Sequence, residues 1–385
     1  MTSNNENICI ENVLPIINKD NLEKINLIRD QIKVKLNPKM NPENKGLKLL
    51  DPNINYINGD KDENKKDNKD QFKLKSTGLD KKNINLFVNK RESDNLLLKY
   101  GEDAYLFNKL LEKEVFKIPD TFLQSHNITS SVRTKMIDWM IEVCSIINYI
   151  DETFFLSVNI LDIFLQKTKK VYDNSDIHLI GMTSIFIASK FQEIYPQSLK
   201  TFSHRVGHDM FSLDQIKKME SQMLTEMGME TLVSTSVYDF LKTYFYDFFY
   251  NNKIVIEKNC DMKKFKDIMN TAKYLTKLIV HYEYFYLFEN SFKAIGCIIT
   301  AIKLMVYYSK DKFEDKDRNV YNQWILFLIK QDAFDKKEME NLVSKIYLAF
   351  NHYQKSKSIS RNLNKFMKLS FIDCLINQEK KGNGK

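Results

Sequence analysis

The stretch Phe186-Ile187-Ala188-Ser189-Lys190-Phe191-Gln192-Glu193-Ile194-Tyr195-Pro196 reads as the end of a helix followed by a hard stop. Upstream, Leu179, Met182 and Phe186 fall at i, i+3 and i+7 on one helical face, and the next place in that line, i+11, is Lys190. Two readings fit an apolar line that ends on a lysine. In one, the stem packs along the stripe and the ammonium reaches water at a helix C-terminus, whose dipole favours a cation. In the other, the charge is held ready for a group that binds it.

A second charge of the same kind favours the latter. Ser212-Leu213-Asp214-Gln215 has the pattern of a capping box, in which Ser212 accepts from the backbone and Gln215 reaches back. The helix it opens carries Ile216, Met223, Leu224 and Met227 on one face, and Glu220 lies four residues from both Ile216 and Leu224. A glutamate and a lysine that each interrupt a helix's apolar face either satisfy one another or meet a partner that supplies the missing hydrogen bonds.

The 385 residues leave room for two or three domains, and 43% hydrophobic residues suffice for real cores. After about residue 94, Leu, Ile, Lys, Glu, Met and Phe dominate while Gly and Pro are scarce, which favours helices. Cys9, Cys144, Cys260, Cys297 and Cys374 are odd in number and widely spaced, so reduced thiols of an intracellular protein are expected, with no disulfide. No charged-then-apolar signal opens the chain, and the run Ala294 to Ile302 stops at Lys303, well short of the roughly 20 residues that span a bilayer. The expectation is a soluble protein. Its net charge of +8 is spread among nearly as many acids, which argues against direct nucleic-acid binding.

Residues 1–93 are rich in Asn, Lys and Asp, and the run from Lys61 to Asp70 holds no apolar residue, so a disordered tail is expected there. Arg29-Asp30-Gln31-Ile32 with Asn37 is its nearest approach to a destruction box, with Ile in place of Leu. Leu98, Tyr100, Tyr105, Phe107, Leu110 and Leu111 predict a short amphipathic helix before Pro119. Ile128-Thr129 then supplies a hydrophobic residue and an N-cap for a long helix, apolar nearly all round, that should be the buried centre of a helical domain. Arg133 on that helix and Asp162 on the next are each costly to bury alone, and a bidentate pair would resolve both. Ser175 is expected to cap the third helix, where Gly181, Ser184 and Ala188 would let a neighbour come close, and Pro196 to start the next short element. Beyond Ser236 a second helical unit echoes the first: Gly296 to Lys303 is similar to Ser184 to Lys190, and Met339-Glu340 to Met219-Glu220.

The chain has no glycine-rich phosphate loop, Walker motif or nucleophile elbow. His204-Arg205-Val206-Gly207-His208 places two histidines at i and i+4, but the following Glu of a zincin and a third ligand are lacking, so surface histidines are expected. Asp151 and Glu152 open a helix, where they favour its dipole without any catalytic role. The chain reads as non-enzymatic, with no cofactor and no metal.

Two ordered segments carry a family resemblance. Ser131-Val132-Arg133-Thr134-Lys135-Met136-Ile137-Asp138-Trp139-Met140-Ile141-Glu142-Val143 is similar to the opening of the cyclin box, Met-Arg-Ala-Ile-Leu-Val-Asp-Trp-Leu-Val-Glu-Val. The segment Ala188 to Pro196 resembles the Ala-Ser-Lys-Phe-Glu-Glu-Ile-Tyr-Pro segment of A- and B-type cyclins. The resemblance covers roughly residues 94 to 352. It implies an all-α protein of two tandem five-helix cyclin boxes preceded by an N-terminal helix and a disordered tail. The implied boundaries are 1–93 for the tail, 94–118 for the N-terminal helix and linker, 119–233 and 234–352 for the two boxes, and 353–385 for a C-terminal tail.

The implied function is that of a regulatory subunit, in the nucleus or cytoplasm, that binds and activates a cyclin-dependent serine/threonine kinase in cell-cycle control. By the resemblance, Lys190 and Glu220 hold backbone groups beside the kinase's mobile C helix, while Phe191, Glu193 and Leu224 complete the contact. Val132, Lys135, Met136, Trp139 and Glu142 would form a groove for an Arg-x-Leu substrate motif, and Arg133 with Asp162 the internal pair. Three positions depart from the family: Ala104 and Met229 replace larger or aromatic contacts to the kinase, and Lys135 replaces an apolar groove residue, which weakens the groove. The alternative is a cyclin-fold scaffold or transcription-factor-like protein that binds DNA or peptides; such a protein would not need Lys190 and Glu220 together. A helical scaffold unrelated to kinases is the remaining reading.

Overall fold

The computed structural model describes residues 105–369, except 114–116, 209, 252–261, 309–314, 333, 357 and 368. The expected tail, with its destruction-box approximation, and Ala104 lie outside the described residues, as do Cys9, Cys260 and Cys374. Every regular element among the described residues is a helix, and Asn127 and Asp173 form one isolated bridge. The thiols of Cys144 and Cys297 are free and buried, and burial pushes that of Cys144 up to about 12.

Helix α1 covers 105–113. A first group follows: α2 (Ser130–Ile147), α3 (Asp151–Lys167), α4 (Ile177–Gln192), α5 (Leu199–Gly207) and α6 (Leu213–Met227). A second group comprises α7 (Val237–Asn251), α8 (Met262–Ile279), α9 (Asn290–Tyr308), α10 (Asp315–Asp332) and α11 (Lys336–Lys355), and the short α12 (Asn362–Phe366) ends it. In each group the third helix is the hub, α4 packing on α2, α3, α5 and α6, and α9 on α7, α8, α10 and α11.

Local chemistry sets the helix starts. Thr129 Oγ1 accepts from the backbone of Val132, and Ser212 with Gln215 forms the full capping box. The cap expected at Ser175 is absent, because the Asp176 carboxylate takes the Asp173 N–H in the preceding turn and the helix begins one residue later. Pro196 lies in a loop, and Ser198 caps α5. The expected centre also shifts. Helix α2 keeps a strip with Ser131, Lys135 and Ile146 exposed, whereas Ile180 to Ser189 of α4 are all buried. Small residues on α4 explain this, since a β-carbon added at Gly181 would sit 2.1 Å from the Met136 ε-carbon of α2. Gly296 admits Leu342 of α11 in the same way, at 2.7 Å. Helix α9 is long and apolar enough to cross a membrane, but 78% of its apolar window is buried inside the protein, as befits the hub of a bundle.

Three charged clusters join the two groups. Arg133 Nε and Nη2 donate to the two Asp162 oxygens at 2.8 and 2.6 Å, with both side chains fully buried. The remaining donors cross to the second group, reaching the carbonyls of His281 and Val280 at 3.1 Å, just past the end of α8, where the helix dipole favours a cation. Tyr286 donates its hydroxyl to Asp162 from the same side. Burial works against the guanidinium, yet the Asp162 charge and hydrogen bonds hold its pKa above the usual arginine value. A second cluster surrounds Asp138, which is buried and accepts from Tyr353 Oη at 2.5 Å and from the Asn362 N–H at 3.1 Å. His281 Nε2 stands 3.7 Å from it.

The third cluster uses the two acids at the start of α3. Asp151 meets Lys277 at 2.6 Å and Lys273 at 2.9 Å, and Glu152 meets Lys242 at 2.6 Å. Burial alone would raise the Asp151 carboxyl, but the two ammoniums outweigh it and hold the carboxyl well below the usual carboxylate range. A depressed folded pKa stabilises the fold above the unfolded aspartate value, about 3.9, and that contribution is lost as pH falls through the folded value. Urea unfolding of the parent should therefore lose more stability between about pH 5 and pH 3 than that of Asp151→Asn. Parallel curves for the two proteins would show that the cluster adds nothing.

Candidate kinase-binding face

Helix α4 ends so that Lys190 lies in its last turn, and α6, which carries Glu220, packs beside it. The two form an ion pair, with the lysine side chain 42% exposed and the glutamate 16%. The ammonium also rests 4.6 Å from the centre of the Phe186 ring, so the apolar stripe that pointed to it carries it. Each charge that interrupts an apolar face thus meets the other, at the surface, where another chain can reach both. Lys303 and Glu340, which stand at the echoing places on α9 and α11, are exposed and form no ion pair with each other. Among the described residues the arrangement is confined to the first group.

Around the pair the surface is apolar. Phe191 is 51% exposed, and Leu224 is half-buried against the core. Ile194 and Tyr195 are 86% and 90% exposed, more than such large apolar side chains usually are. Sequence reasoning left these two out of the site. Their signal was an apolar pair lying between a helix end and Pro196, outside any helical face. Met229 is exposed on the following turn.

Glu193, counted with the kinase-binding residues, has an internal task. Ile150, which precedes α3, offers no side-chain cap, and Glu193 Oε1 accepts from the Ile150 N–H at 2.9 Å and from Thr153 Oγ1 at 2.5 Å. The carboxylate therefore fixes the chain leaving α4 onto the start of α3 and sets where Ile194 and Tyr195 emerge.

The second candidate surface lies along α2. Met136 is buried against Gly181, Val132 and Trp139 are half-buried, and Trp139 stands edge-on to His178 at 4.7 Å. Burial lowers the His178 pKa. Lys135 is exposed, and Glu142 is already engaged by Asn362 Nδ2 at 3.0 Å and by Lys365 at 3.8 Å. The acid that would greet a substrate arginine is thus shared with α12, a contact the sequence did not announce because it joins residues 220 positions apart.

Residues 103–231 match the model of the cyclin N-terminal domain. Among curated relatives, a G2/mitotic-specific cyclin-B of Arbacia punctulata is 33% identical over 141 residues, covering 36% of this chain and 34% of its own. A G2/mitotic-specific cyclin-A of Spisula solidissima is 32% identical over 147 residues, covering 37% and 34%. The match thus spans about a third of these relatives. Among solved structures, a viral cyclin from herpesvirus saimiri is 16% identical, covers 66% of this chain and 96% of its own, and superposes with a TM-score of 0.48. The matched segment holds Lys190, Glu220 and the substrate-groove candidates alike.

Proposed function

We propose that this chain is a regulatory subunit that binds and activates a cyclin-dependent protein kinase and catalyses no reaction itself. The observation that carries the reading is the Lys190–Glu220 pair, set on a cyclin domain and ringed by exposed Phe191, Ile194 and Tyr195. Such a face can offer a donor and an acceptor to backbone groups of a kinase's mobile helix while its apolar rim excludes water. Held inward, that helix lets the kinase form its own Lys–Glu ion pair. The setting is cell-cycle control in the nucleus or cytoplasm. Capture of the tagged chain from its own cells should recover a cyclin-dependent kinase, and the Lys190→Ala, Glu220→Ala double variant should recover far less. Recovery of no kinase by the parent overturns the reading.

The α2 groove is proposed to dock substrates weakly. An apolar residue in place of Lys135 would bury against a ligand leucine and contribute about 1.5–3 kcal/mol, whereas Lys offers its stem and keeps its ammonium wet. Docking peptides with an Arg-x-Leu motif should bind about tenfold or more weakly than to a typical A-type cyclin, and Lys135→Ile should regain part of the loss. Calorimetry decides this. Tight binding by the parent with no gain in Lys135→Ile would show that Lys135 points away from the ligand.

A further inference from the structure

Glu142 is the acid of the α2 groove, and both of its oxygens have neighbours on α12 that differ in kind. Asn362 is buried and fixed. Its N–H donates to both Asp138 oxygens at 3.1 Å, and its Nδ2 donates to the Asp138 carbonyl at 3.3 Å and to Glu142 Oε2 at 3.0 Å. Leu363 beside it is fully buried and donates its N–H to Tyr353 Oη at 3.2 Å, so α12 is anchored on α2 and α11 alike. Lys365 is not held in this way. Its side chain is 64% exposed, and its ammonium stands 3.8 Å from Glu142 Oε1, beyond hydrogen-bond range, and 5.6 Å from the centre of the Phe366 ring. Charge keeps it near the acid, and exposed pairs of this kind are weak.

A ligand arginine meets this carboxylate on better terms than the lysine does. A guanidinium donates two parallel hydrogen bonds to a carboxylate, whereas an ammonium acts as a point charge. Asn362 can stay during the exchange, because each carboxylate oxygen accepts more than one hydrogen bond. Lys365 cannot, since it carries the same charge as the arginine and stands at the same oxygen. The chain presents a segment in the ligand's own order, Arg361-Asn362-Leu363, yet Arg361 donates to the Gln354 carbonyl at 3.0 Å, so the cation beside Glu142 is Lys365. We propose that α12 is an autoinhibitory strap on the docking groove: Asn362 aims the Glu142 carboxylate, and Lys365 occupies it until a ligand arginine displaces the lysine. This rests on the reading of α2 as a docking groove. Exchange of one ion pair for another leaves their number unchanged, so the arginine adds little affinity in the parent, and that affinity changes little with salt.

Two docking peptides titrated into the full chain by calorimetry test this, one with the Arg-x-Leu motif and one with norleucine in place of its arginine. Lys365→Met should bind the arginine peptide about two- to fivefold more tightly than the parent and lose that gain at high salt, while the norleucine peptide binds both proteins alike. In a Glu142→Gln background, where the amide oxygen still accepts from Asn362, Lys365→Met should bring no gain. A gain that persists there, or one shared by the norleucine peptide, shows that Lys365 acts without holding Glu142 and overturns the strap. Equal binding of the arginine peptide by parent and Lys365→Met overturns it as well, while the groove stands. If neither peptide binds the parent, Lys365→Met or Lys135→Ile, the groove reading fails and the strap falls with it. Should Glu142→Gln fail to fold by circular dichroism, the two peptides on parent and Lys365→Met decide alone.

Discussion

Arg133→Ala is expected to lower the stability of the chain by about 3–5 kcal/mol, because it strands Asp162 in the core with only the Tyr286 hydroxyl as a partner, takes the guanidinium from the Val280 carbonyl and leaves the His281 carbonyl with the Thr134 hydroxyl alone. For a protein of this size each kcal/mol shifts the melting temperature by about 2–4 °C, so a fall of roughly 10 °C is expected. Asp162→Asn should cost less. The amide keeps one oxygen for the guanidinium, and Arg133 retains both carbonyls and Glu283, 3.9 Å away. The difference between the two variants is informative, since a simple exposed ion pair would lose about 0–1 kcal/mol from either side. Thermal unfolding followed by circular dichroism measures both. If Arg133→Ala melts with the parent, the guanidinium does not tie the two groups together.

Lys190→Ala and Glu220→Ala should each do the opposite, leaving the fold intact while weakening kinase binding by about 2–4 kcal/mol. In the free chain the pair is partly exposed, and the partner left behind is hydrated, so a stability change below about 1 kcal/mol is expected. In the proposed complex the same charges would be buried against backbone groups of the kinase, and truncation would leave those groups unsatisfied. Kinase activity titrated with added variant gives the loss, and circular dichroism supplies the folding control. Full activation by the double variant would remove this pair from the interface.

Much of this was legible because certain residues violate their own periodicity. Lys190 and Glu220 interrupt apolar lines, and the chain satisfies both by placing one beside the other. Arg133 and Asp162 are too costly to bury singly and meet as a bidentate pair. Capping residues were readable where a side chain has one local partner, as at Thr129 and Ser212, and misread at Ser175, where the next residue's carboxylate has a competing N–H to bind. What stayed hidden depends on contacts between distant parts of the chain. Glu193 matches a family motif, yet nothing local shows that it caps a helix starting 42 residues earlier, at Asp151. Asp138 was not singled out on α2, and its partners Tyr353 and Asn362 lie more than 200 positions away.

The central proposal is that this chain switches a kinase on. Phosphorylation of a standard substrate by a purified, inactive cyclin-dependent kinase, titrated with the full chain, measures that directly. The account predicts activity that rises and saturates near one chain per kinase, and that falls to a small fraction with Lys190→Ala, Glu220→Ala. A folded parent chain that neither binds any member of a panel of such kinases nor raises its activity would contradict it.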